Sequence, residues 1–310
     1  MESHPYVSIV SPVYNAKNII VQLVVELVSV LNTMRIDYEI ILVDDSCPQN
    51  SWENILKECK KNQNIKGIKL SKNFGQHYAI SAGLAAARGN WIVVMDCDLQ
   101  DSPSEIPNLL KQAEKGFDIV LARRQNRKDG FFKRNSSKFF YFVLSYLTGQ
   151  KIDNKIANFG IYNKKVISVL NTLGEKNRFF PTMIQKIGFK KSTIEVEHFS
   201  RHEGSSSYNL KKLLNLAFDI ILSNSEKPIR LIVKFGLLIS IVSFSFIIYH
   251  LIKYFSGSIS VIGYSSIIVS ICFFSGLIIS FLGIIGLYIG KIFEEVKNRP
   301  LYIVEDKINF

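Results

Sequence analysis

The segment 93–101, VVMDCDLQD, carries the residue types that a metal site needs. Asp96, Asp98 and Asp101 follow an apolar run, and carboxylates held this close repel one another unless something positive lies between them. In an extended chain, residues two apart lie on the same side, so Asp96, Asp98 and Gln100 would present their oxygens together. Such oxygens are hard ligands that suit Mg²⁺ or Mn²⁺. The spacing therefore predicts a divalent-cation site at Asp96, Asp98 and Gln100.

The elements around this segment predict a sheet that positions it. Five apolar, strand-like runs alternate with helical stretches in the first 124 residues: YVSIVSP, YEIILVDD, IKGIKLS, WIVVMD and FDIVLARR. Such alternation implies a mainly parallel sheet covered by helices, a Rossmann-like α/β fold. The acidic segment directly follows the fourth run, which places it at a strand end.

Open α/β sheets bind ligands at the carboxyl ends of their strands. Polar or chemically distinctive residues lie at these ends, and those we select as candidates are Pro12 and Tyr14, Asp44 and Asp45, Asp96 and Asp98, and Arg123. One aspartate would be an ordinary feature of a polar loop, but four aspartates at two strand ends favour a binding site. No G-x-G-x-x-G follows the first strand and no G-x-x-x-x-G-K-[ST] occurs, which disfavours a dinucleotide fold and a P-loop. A metal-held diphosphate remains as the predicted ligand.

The C-terminal third is typical of a membrane hairpin. No charged residue lies in 235–252 or in 254–290. The first run is about long enough to cross the bilayer core, and the second is long enough for a turn followed by a crossing. We therefore predict two transmembrane helices within 231–290.

The flanks carry most of the nearby basic residues, which are Lys227, Arg230, Lys234, Lys291, Lys297, Arg299 and Lys307, whereas the turn carries Lys253. The positive-inside rule then places both flanks and the α/β domain in the cytoplasm, with the chain as a multi-pass protein of the inner (plasma) membrane.

The net charge of +12 favours a polyanionic partner, either nucleic acid or an anionic membrane surface. Basic residues are concentrated between 123 and 138 and run into the aromatic stretch FFYFVLSYL, which is typical of a helix lying on a membrane. A core helix with a solvated basic cap explains the aromatic stretch almost equally well. YNLKKLLNLAFDIIL predicts an interfacial helix and linker over 208–230. Nucleic-acid binding would explain the charge but not the hairpin, so we predict no nucleic-acid partner.

Several motifs resemble those of glycosyltransferase family 2 enzymes with the GT-A fold. They are SPVYN, YEIILVDDS, LSKNFGQHYAISAGLAAARG and VVMDCDLQDSPSEIP, followed by RFFPTMIQKIGFK and RHEGSSSY. Together with the hairpin they are more narrowly similar to polyprenyl-phosphate glycosyltransferases, such as the dolichol-phosphate mannosyltransferases and the bacterial undecaprenyl-phosphate glucosyltransferases. The resemblance covers nearly the whole chain. It implies a cytoplasmic GT-A domain over 1–207, the two helices over 231–290 and a cytoplasmic tail over 291–310.

The resemblance also implies roles for individual residues. Nucleotide-sugar contacts are expected from Pro12, Tyr14, Asp44, Asp45, Asp96 and Arg123; metal contacts from Asp96, Asp98 and Gln100; and acceptor-phosphate contacts from Arg134, Arg201 and Ser206. Asp96, Asp98 and Arg201 are the expected catalytic residues. Three departures from the family pattern leave the substrate open: Ser207 replaces a usual Lys, Ala16 replaces a common acid, and NFGIY at 158–162 lacks a common acid and Arg.

The expected reaction is inverting, metal-dependent transfer of a sugar to undecaprenyl phosphate. The resemblance suggests UDP-glucose as donor first, then GDP-mannose or a UDP-N-acetylhexosamine. A lipid phosphate is already anionic at neutral pH, so it needs basic residues to hold it more than a general base. A processive or hydroxyl-directed polysaccharide glycosyltransferase is an alternative, although Q-x-x-R-W is missing, since Trp52 and Trp91 lie elsewhere. The other alternative is a non-catalytic, membrane-tethered subunit that binds nucleotide or lipid. The sequence leaves homo-oligomerisation open.

Overall fold

The computed structural model describes residues 4–124, 145–147, 156–176, 178–196, 221–222, 225–256 and 264–310. Within these ranges one sheet has eight strands, in the order β7-β5-β6-β4-β1-β2-β3-β8. The strands are β1 Val7–Val13, β2 Tyr38–Asp44, β3 Ile65–Leu70, β4 Trp91–Val94, β5 Ile119–Arg124, β6 Ile156–Asn163, β7 Lys191–Val196 and β8 Val304–Ile308. The helices are α1 Ile19–Met34, α2 Ser51–Lys61, α3 Gln76–Ala86, α4 Ile106–Ala113, α5 Lys164–Thr172, α6 Phe180–Lys186, α7 Lys227–Phe255 and α8 Tyr264–Val296.

The sheet is mixed but mainly parallel, as predicted. Strands β3, β2, β1 and β4 are neighbours in that order and all run parallel. Strand β6 pairs antiparallel with both β4 and β5, and β8 pairs antiparallel with β3. The fifth predicted strand is therefore present, but β6 separates it from β4. This arrangement is the GT-A-like α/β fold that the motifs implied.

Helices cover both faces of the sheet because each presents an apolar stripe with helical spacing. On one face, α1, α2 and α4 contribute to a core in which Leu23, Leu27 and Leu31 of α1 are fully buried. On the other face, α3, α5 and α6 contribute to a second core. Helix α3 lies very close to β1, since a Cβ at Gly83 would be 2.4 Å from the Val10 side chain. The glycine thus lets α3 approach the strands that carry the predicted site.

The described residues form two compact units. The first contains 4–124, 156–176, 178–196 and 299–310, and the second contains 145–147, 221–222, 225–256 and 264–298. The sequence predicted 291–310 to be a tail, but its last part, 304–308, is strand β8 of the first unit. The predicted boundary at 207 and most of the interfacial helix 208–230 lie outside the described residues.

Helices α7 and α8 make up most of the second unit and run antiparallel. The rings of Phe235 and Phe281 meet edge to face with centroids 6.3 Å apart, and the Tyr288 hydroxyl donates to the Ser225 carbonyl at 2.8 Å. In the part of the chain that the structure describes, one segment, Phe273–Val296, is long and apolar enough to cross a membrane, with a mean hydropathy of 2.1.

Candidate active site

Three loops meet at the carboxyl ends of β4, β1 and β2, which are adjacent strands. The Asp45 N–H donates to the Val13 carbonyl at 3.0 Å, and the Met95 N–H donates to the Val10 carbonyl at 3.1 Å. These bonds extend the pairing of β1 with both neighbours. The chain leaves β1 through α1 on one face and enters β4 from α3 on the other, so this is the switch point where open α/β sheets bind ligands.

The loop after β4 has the alternation that the sequence predicted. Asp96, Asp98 and Gln100 are partly exposed, whereas the intervening Cys97 and Leu99 are buried. Leu99 has a φ of +54°, a left-handed conformation that costs a non-glycine residue about 1 kcal/mol or more. Burial of the Leu99 side chain offsets this cost and holds the loop. The three predicted metal ligands are therefore partly exposed in a loop that is held by its buried neighbours, and their binding of a metal stays a prediction.

Side-chain and backbone donors orient the two carboxylates of this loop. The Gln76 amide donates to Asp96 Oδ1 at 2.6 Å from the first residue of α3. The Gln100 N–H donates to Asp98 Oδ1 at 3.2 Å. Sequence reasoning gave Gln76 no role, although it lies inside the NFGQ motif, because the contact joins residues twenty positions apart. Gln76 therefore joins the candidate site as a positioning residue.

Asp44 lies at the end of β2 and is almost completely buried, at 1% exposure. Its Oδ1 accepts a hydrogen bond from the Cys47 N–H at 3.2 Å. Desolvation raises the pKa of Asp44 to about 6, an effect that this N–H and the neighbouring Lys69 reduce. A carboxylate kept in such a costly environment at a strand end is typical of a functional site.

Asp45 holds the loop that leads into α3. Its Oδ1 and Oδ2 accept the N–H groups of Phe74 and Gly75, each at 2.8 Å. Gly75 has a φ of +103°, which disfavours residues that carry a Cβ. Burial raises the pKa of Asp45, while the two N–H groups lower it. Because both its oxygens are engaged inside the protein, Asp45 has an evident structural role, and its contact with a nucleotide stays a prediction.

The donor set fits a hard divalent cation better than a zinc ion. No cluster of three His, Cys, Asp or Glu residues with metal-site geometry occurs among the described residues. Burial raises the pKa of Cys97 to about 12, so it remains a thiol and packs inward. Asp96, Asp98 and Gln100 offer oxygen atoms alone. Mg²⁺ commonly uses one or two carboxylates and takes its other ligands from substrate phosphates and water.

His77 lies next to Gln76 in α3, and its ring meets the Phe179 ring edge to face with centroids 4.9 Å apart. Its Nδ1 is buried and has no hydrogen-bond partner among the described residues. Desolvation lowers the pKa of His77 to about 4, so the ring is neutral at physiological pH. His77 is thus a partly buried residue of α3.

The remaining predicted site residues lie in different surroundings. Tyr14 is 42% exposed beside the acidic loops, whereas Pro12 is buried within β1. Arg123 is partly buried on β5, and β6 intervenes between β5 and β4. It therefore starts about 10 Å from the β4 backbone, two strand spacings away. The predicted residues Arg134, Arg201 and Ser206 lie outside the described residues.

Comparison with known proteins identifies the family. The family model described as glycosyl transferase family 2 matches residues 8–170, a range that includes every described residue of the candidate site up to Arg123. The chain belongs to glycosyltransferase family 2. It is 38% identical over 308 residues to the uncharacterized glycosyltransferase YkcC of Bacillus subtilis strain 168, which covers 98% of this chain and 95% of the relative.

A second relative of this glycosyltransferase has a named acceptor. The chain is 30% identical over 307 residues to the undecaprenyl-phosphate 4-deoxy-4-formamido-L-arabinose transferase of Edwardsiella ictaluri, covering 98% of this chain and 94% of the relative. Among solved structures, a mycobacterial protein matches with a TM-score of 0.51 at 13% identity, covering 71% of this chain and 73% of that chain. At that identity the match supports the fold alone.

Proposed function

We propose that this glycosyltransferase transfers a sugar from a nucleotide sugar to a polyprenyl phosphate, undecaprenyl phosphate in bacteria, with inversion at the sugar carbon. The observation that carries the proposal is the placement of Asp44 at the end of β2 and of Asp96, Asp98 and Gln100 after β4, on the two sides of β1 at the sheet's switch point. The buried carboxylate suits contact with the nucleotide base. The partly exposed oxygen ligands suit a cation that binds the diphosphate. The named acceptor of the Edwardsiella ictaluri relative supports the lipid phosphate as the second substrate.

The donor would occupy the edge formed by the three loops. Asp44 would accept an N–H group of the nucleotide base, and Tyr14, which is 42% exposed, would contact the face of the base. Asp96, Asp98 and Gln100 would hold Mg²⁺ or Mn²⁺, which when bound neutralises charge on the departing nucleoside diphosphate. The hydrogen bond from the Gln76 amide would fix the orientation of the Asp96 carboxylate. UDP-glucose remains our first candidate donor, ahead of GDP-mannose and the UDP-N-acetylhexosamines.

The acceptor requires positive charge more than a base. A phosphate monoester of a lipid alcohol is anionic at neutral pH and can attack the sugar without losing a proton to the enzyme. We propose that Arg201, Arg134 and Ser206 hold this phosphate, and that Arg123 contributes charge from the end of β5. Arg is suited to this task because its planar guanidinium can donate two parallel hydrogen bonds to one phosphate.

We propose two membrane crossings rather than one, and the position of β8 supports this proposal. Strands β1–β7 and β8 belong to one sheet, so the chain must be on the same side of the membrane at Val196 and at Val304. The number of crossings between these residues is therefore even. If Phe273–Val296 crosses the membrane, α7 is the available partner, since it is antiparallel to α8 and uncharged from 235 to 252. The basic flanks would place the sheet in the cytoplasm.

The function is tested directly by a donor panel in membranes that contain the protein. Radiolabelled UDP-glucose, GDP-mannose, UDP-N-acetylglucosamine and UDP-4-deoxy-4-formamido-L-arabinose are each supplied with undecaprenyl phosphate. The expected result is that one donor yields label that extracts into organic solvent and that Asp98→Asn membranes do not produce it. Water-soluble or polymeric product from every active donor would contradict the proposal and favour the polysaccharide alternative.

The acceptor role of Arg201 has its own test. Arg201→Ala should raise the KM for undecaprenyl phosphate more than the KM for the donor, and Arg201→Lys should rescue it only in part. Equal increases in both constants would move Arg201 to the donor diphosphate.

A reporter placed near Gly257 should behave as external and one after Phe310 as cytoplasmic; the reverse pattern would contradict the proposed topology.

A further inference from the structure

The last described segment of the chain completes the catalytic sheet. Strand β8 pairs antiparallel with the edge strand β3, from Gly67 opposite Ile308 to Leu70 opposite Val304. Gly67 makes this approach possible, because a Cβ there would lie 2.8 Å from Ile308 and 2.9 Å from Ile55. A glycine inside a strand often marks such a close approach. The docking of β8 is thus built into β3.

A change of register holds β8 against both layers of the domain. Lys69 lies opposite Asp306 and Leu70 opposite Val304, so Glu305 is the extra residue of a bulge. Because of the bulge, Val304 packs against the core on the α3 side while Ile308 packs against the core on the α2 side. The strand is therefore anchored at both ends, one of which lies at the site edge of the sheet.

From that end, β8 contacts the segment that positions the site carboxylates. The pairing continues past β3, since the Ser71 N–H donates to the Ile303 carbonyl at 3.0 Å. The loop that starts at Ser71 then supplies the Phe74 and Gly75 N–H groups to Asp45 and ends at Gln76. The Gln76 amide in turn donates to Asp96. A continuous series of contacts therefore runs from Ile303 to Asp96 in the loop after β4.

The bulge residue Glu305 also lies near the nucleotide side of the site, through its contact with Lys69. Glu305 pairs with Lys69 at 2.9 Å, and Lys69 lies directly opposite Asp44 in the β2–β3 register. The pair is partly exposed, so its contribution to stability is small. Its position is more informative, because it brings a charge from the C-terminal segment to the strand position beside the buried Asp44.

We infer that β8 is a positioning element for donor binding. Its docking on β3 fixes the loop at 71–76. That loop in turn fixes the carboxylates that receive the nucleotide diphosphate and its cation. The inference rests on the proposed function, since it assigns β8 to the donor half of that site. Val304 is the principal positioning residue, because it packs β8 against the core next to the start of the loop. The segment that follows α8 thereby becomes part of the donor site.

The test is a titration of the full-length, detergent-purified protein with UDP and with GDP in the presence of Mn²⁺, which needs neither the sugar nor the acceptor. Val304→Asp should weaken the binding of whichever nucleotide the wild type binds by about tenfold, measured well below the melting temperature. Val304→Ile, the conservative variant, should bind the nucleotide as the wild type does. Ile303→Asp is the matched control: its side chain is 52% exposed, and it keeps the carbonyl that Ser71 contacts.

The outcomes separate this inference from the proposed function. If Val304→Asp does not fold, Val304→Ala should still weaken nucleotide binding, by about threefold. Variants that melt earlier but bind nucleotide as the wild type does would overturn the inference and leave the proposed function intact. Equal weakening by Ile303→Asp would also overturn it. A wild type that binds neither nucleotide would refute the proposed function and, with it, the role of β8.

Discussion

Replacing Asp44 by Asn should stabilise the protein while it weakens nucleotide binding. Desolvation raises the pKa of Asp44 from an ordinary value of 3.8 to about 6. That difference corresponds to a cost of about 3 kcal/mol for keeping the native carboxylate ionised at neutral pH. Burial of the Asn amide also costs free energy, which reduces the figure, so we expect a gain of about 1–2 kcal/mol in unfolding free energy. The Asn side-chain oxygen can still accept the Cys47 N–H, which makes the charge the main change.

The sign of the pH dependence follows from linkage. The native state binds the Asp44 proton more tightly than the unfolded state does, so wild-type stability falls as pH rises from about 4 to about 6. The advantage of Asp44→Asn should therefore be complete above about pH 7, about half as large at pH 5 and nearly absent at pH 4. At pH 7.5 it should appear as a rise of about 2–8 °C in melting temperature.

Tryptophan fluorescence is a suitable assay because both tryptophans of the chain, Trp52 in α2 and Trp91 in β4, belong to the sheet unit. Melting is followed in detergent at pH 7.5 and pH 5 for the wild type, Asp44→Asn and Asp37→Asn, an exposed control. A parallel titration with UDP and GDP measures the loss of binding. An unchanged or lower melting temperature for Asp44→Asn at pH 7.5, or a gain of equal size at both pH values, would refute the reasoning.

Further predictions concern the loop after β4 and helix α3. Asp98→Asn should lower kcat by about 100-fold or more without changing the melting temperature, whereas Asp101→Asn, at a position with 3% exposure, should cost more in melting temperature than in kcat. Gln76→Ala should weaken the activation of transfer by Mg²⁺ by about 10–100-fold, and Gln22→Ala, which removes a similar amide–carboxylate bond on the exposed surface of α1, should not. Because the pKa of His77 is lowered to about 4, the native state of the wild type loses stability as the pH falls. The melting temperature of His77→Gln should therefore fall less between pH 7 and pH 5 than that of the wild type.

The local features of the site could be predicted from the sequence because they depend on short-range periodicity. Alternation in DCDLQ predicted that Asp96, Asp98 and Gln100 share one side. These three residues are partly exposed and Cys97 and Leu99 are buried, although 97–100 form a turn and not an extended chain. The end of the apolar run also placed Asp44 at the carboxyl end of β2. In both cases the pattern and the support lie within a few residues of each other.

Features that depend on distant pairing were missed. In the sequence, residues 304–308 have the pattern of a charged tail. They pair with β3 as strand β8 because Gly67, far earlier in the chain, leaves room for Ile308. Strand β6 enters between β4 and β5, which no local pattern near Arg123 indicates. The Gln76 contact with Asp96 likewise requires α3 and β4 to be packed together.

The most direct test of the central claim compares two acceptors that differ by one phosphate. Purified protein in detergent is given the active radiolabelled nucleotide sugar, Mg²⁺, and either undecaprenyl phosphate or undecaprenol, with and without excess EDTA. The account predicts lipid-extractable product from undecaprenyl phosphate alone, its loss with EDTA and its recovery when Mg²⁺ or Mn²⁺ is restored. Equal transfer to undecaprenol, or full activity with undecaprenyl phosphate in EDTA, would contradict it.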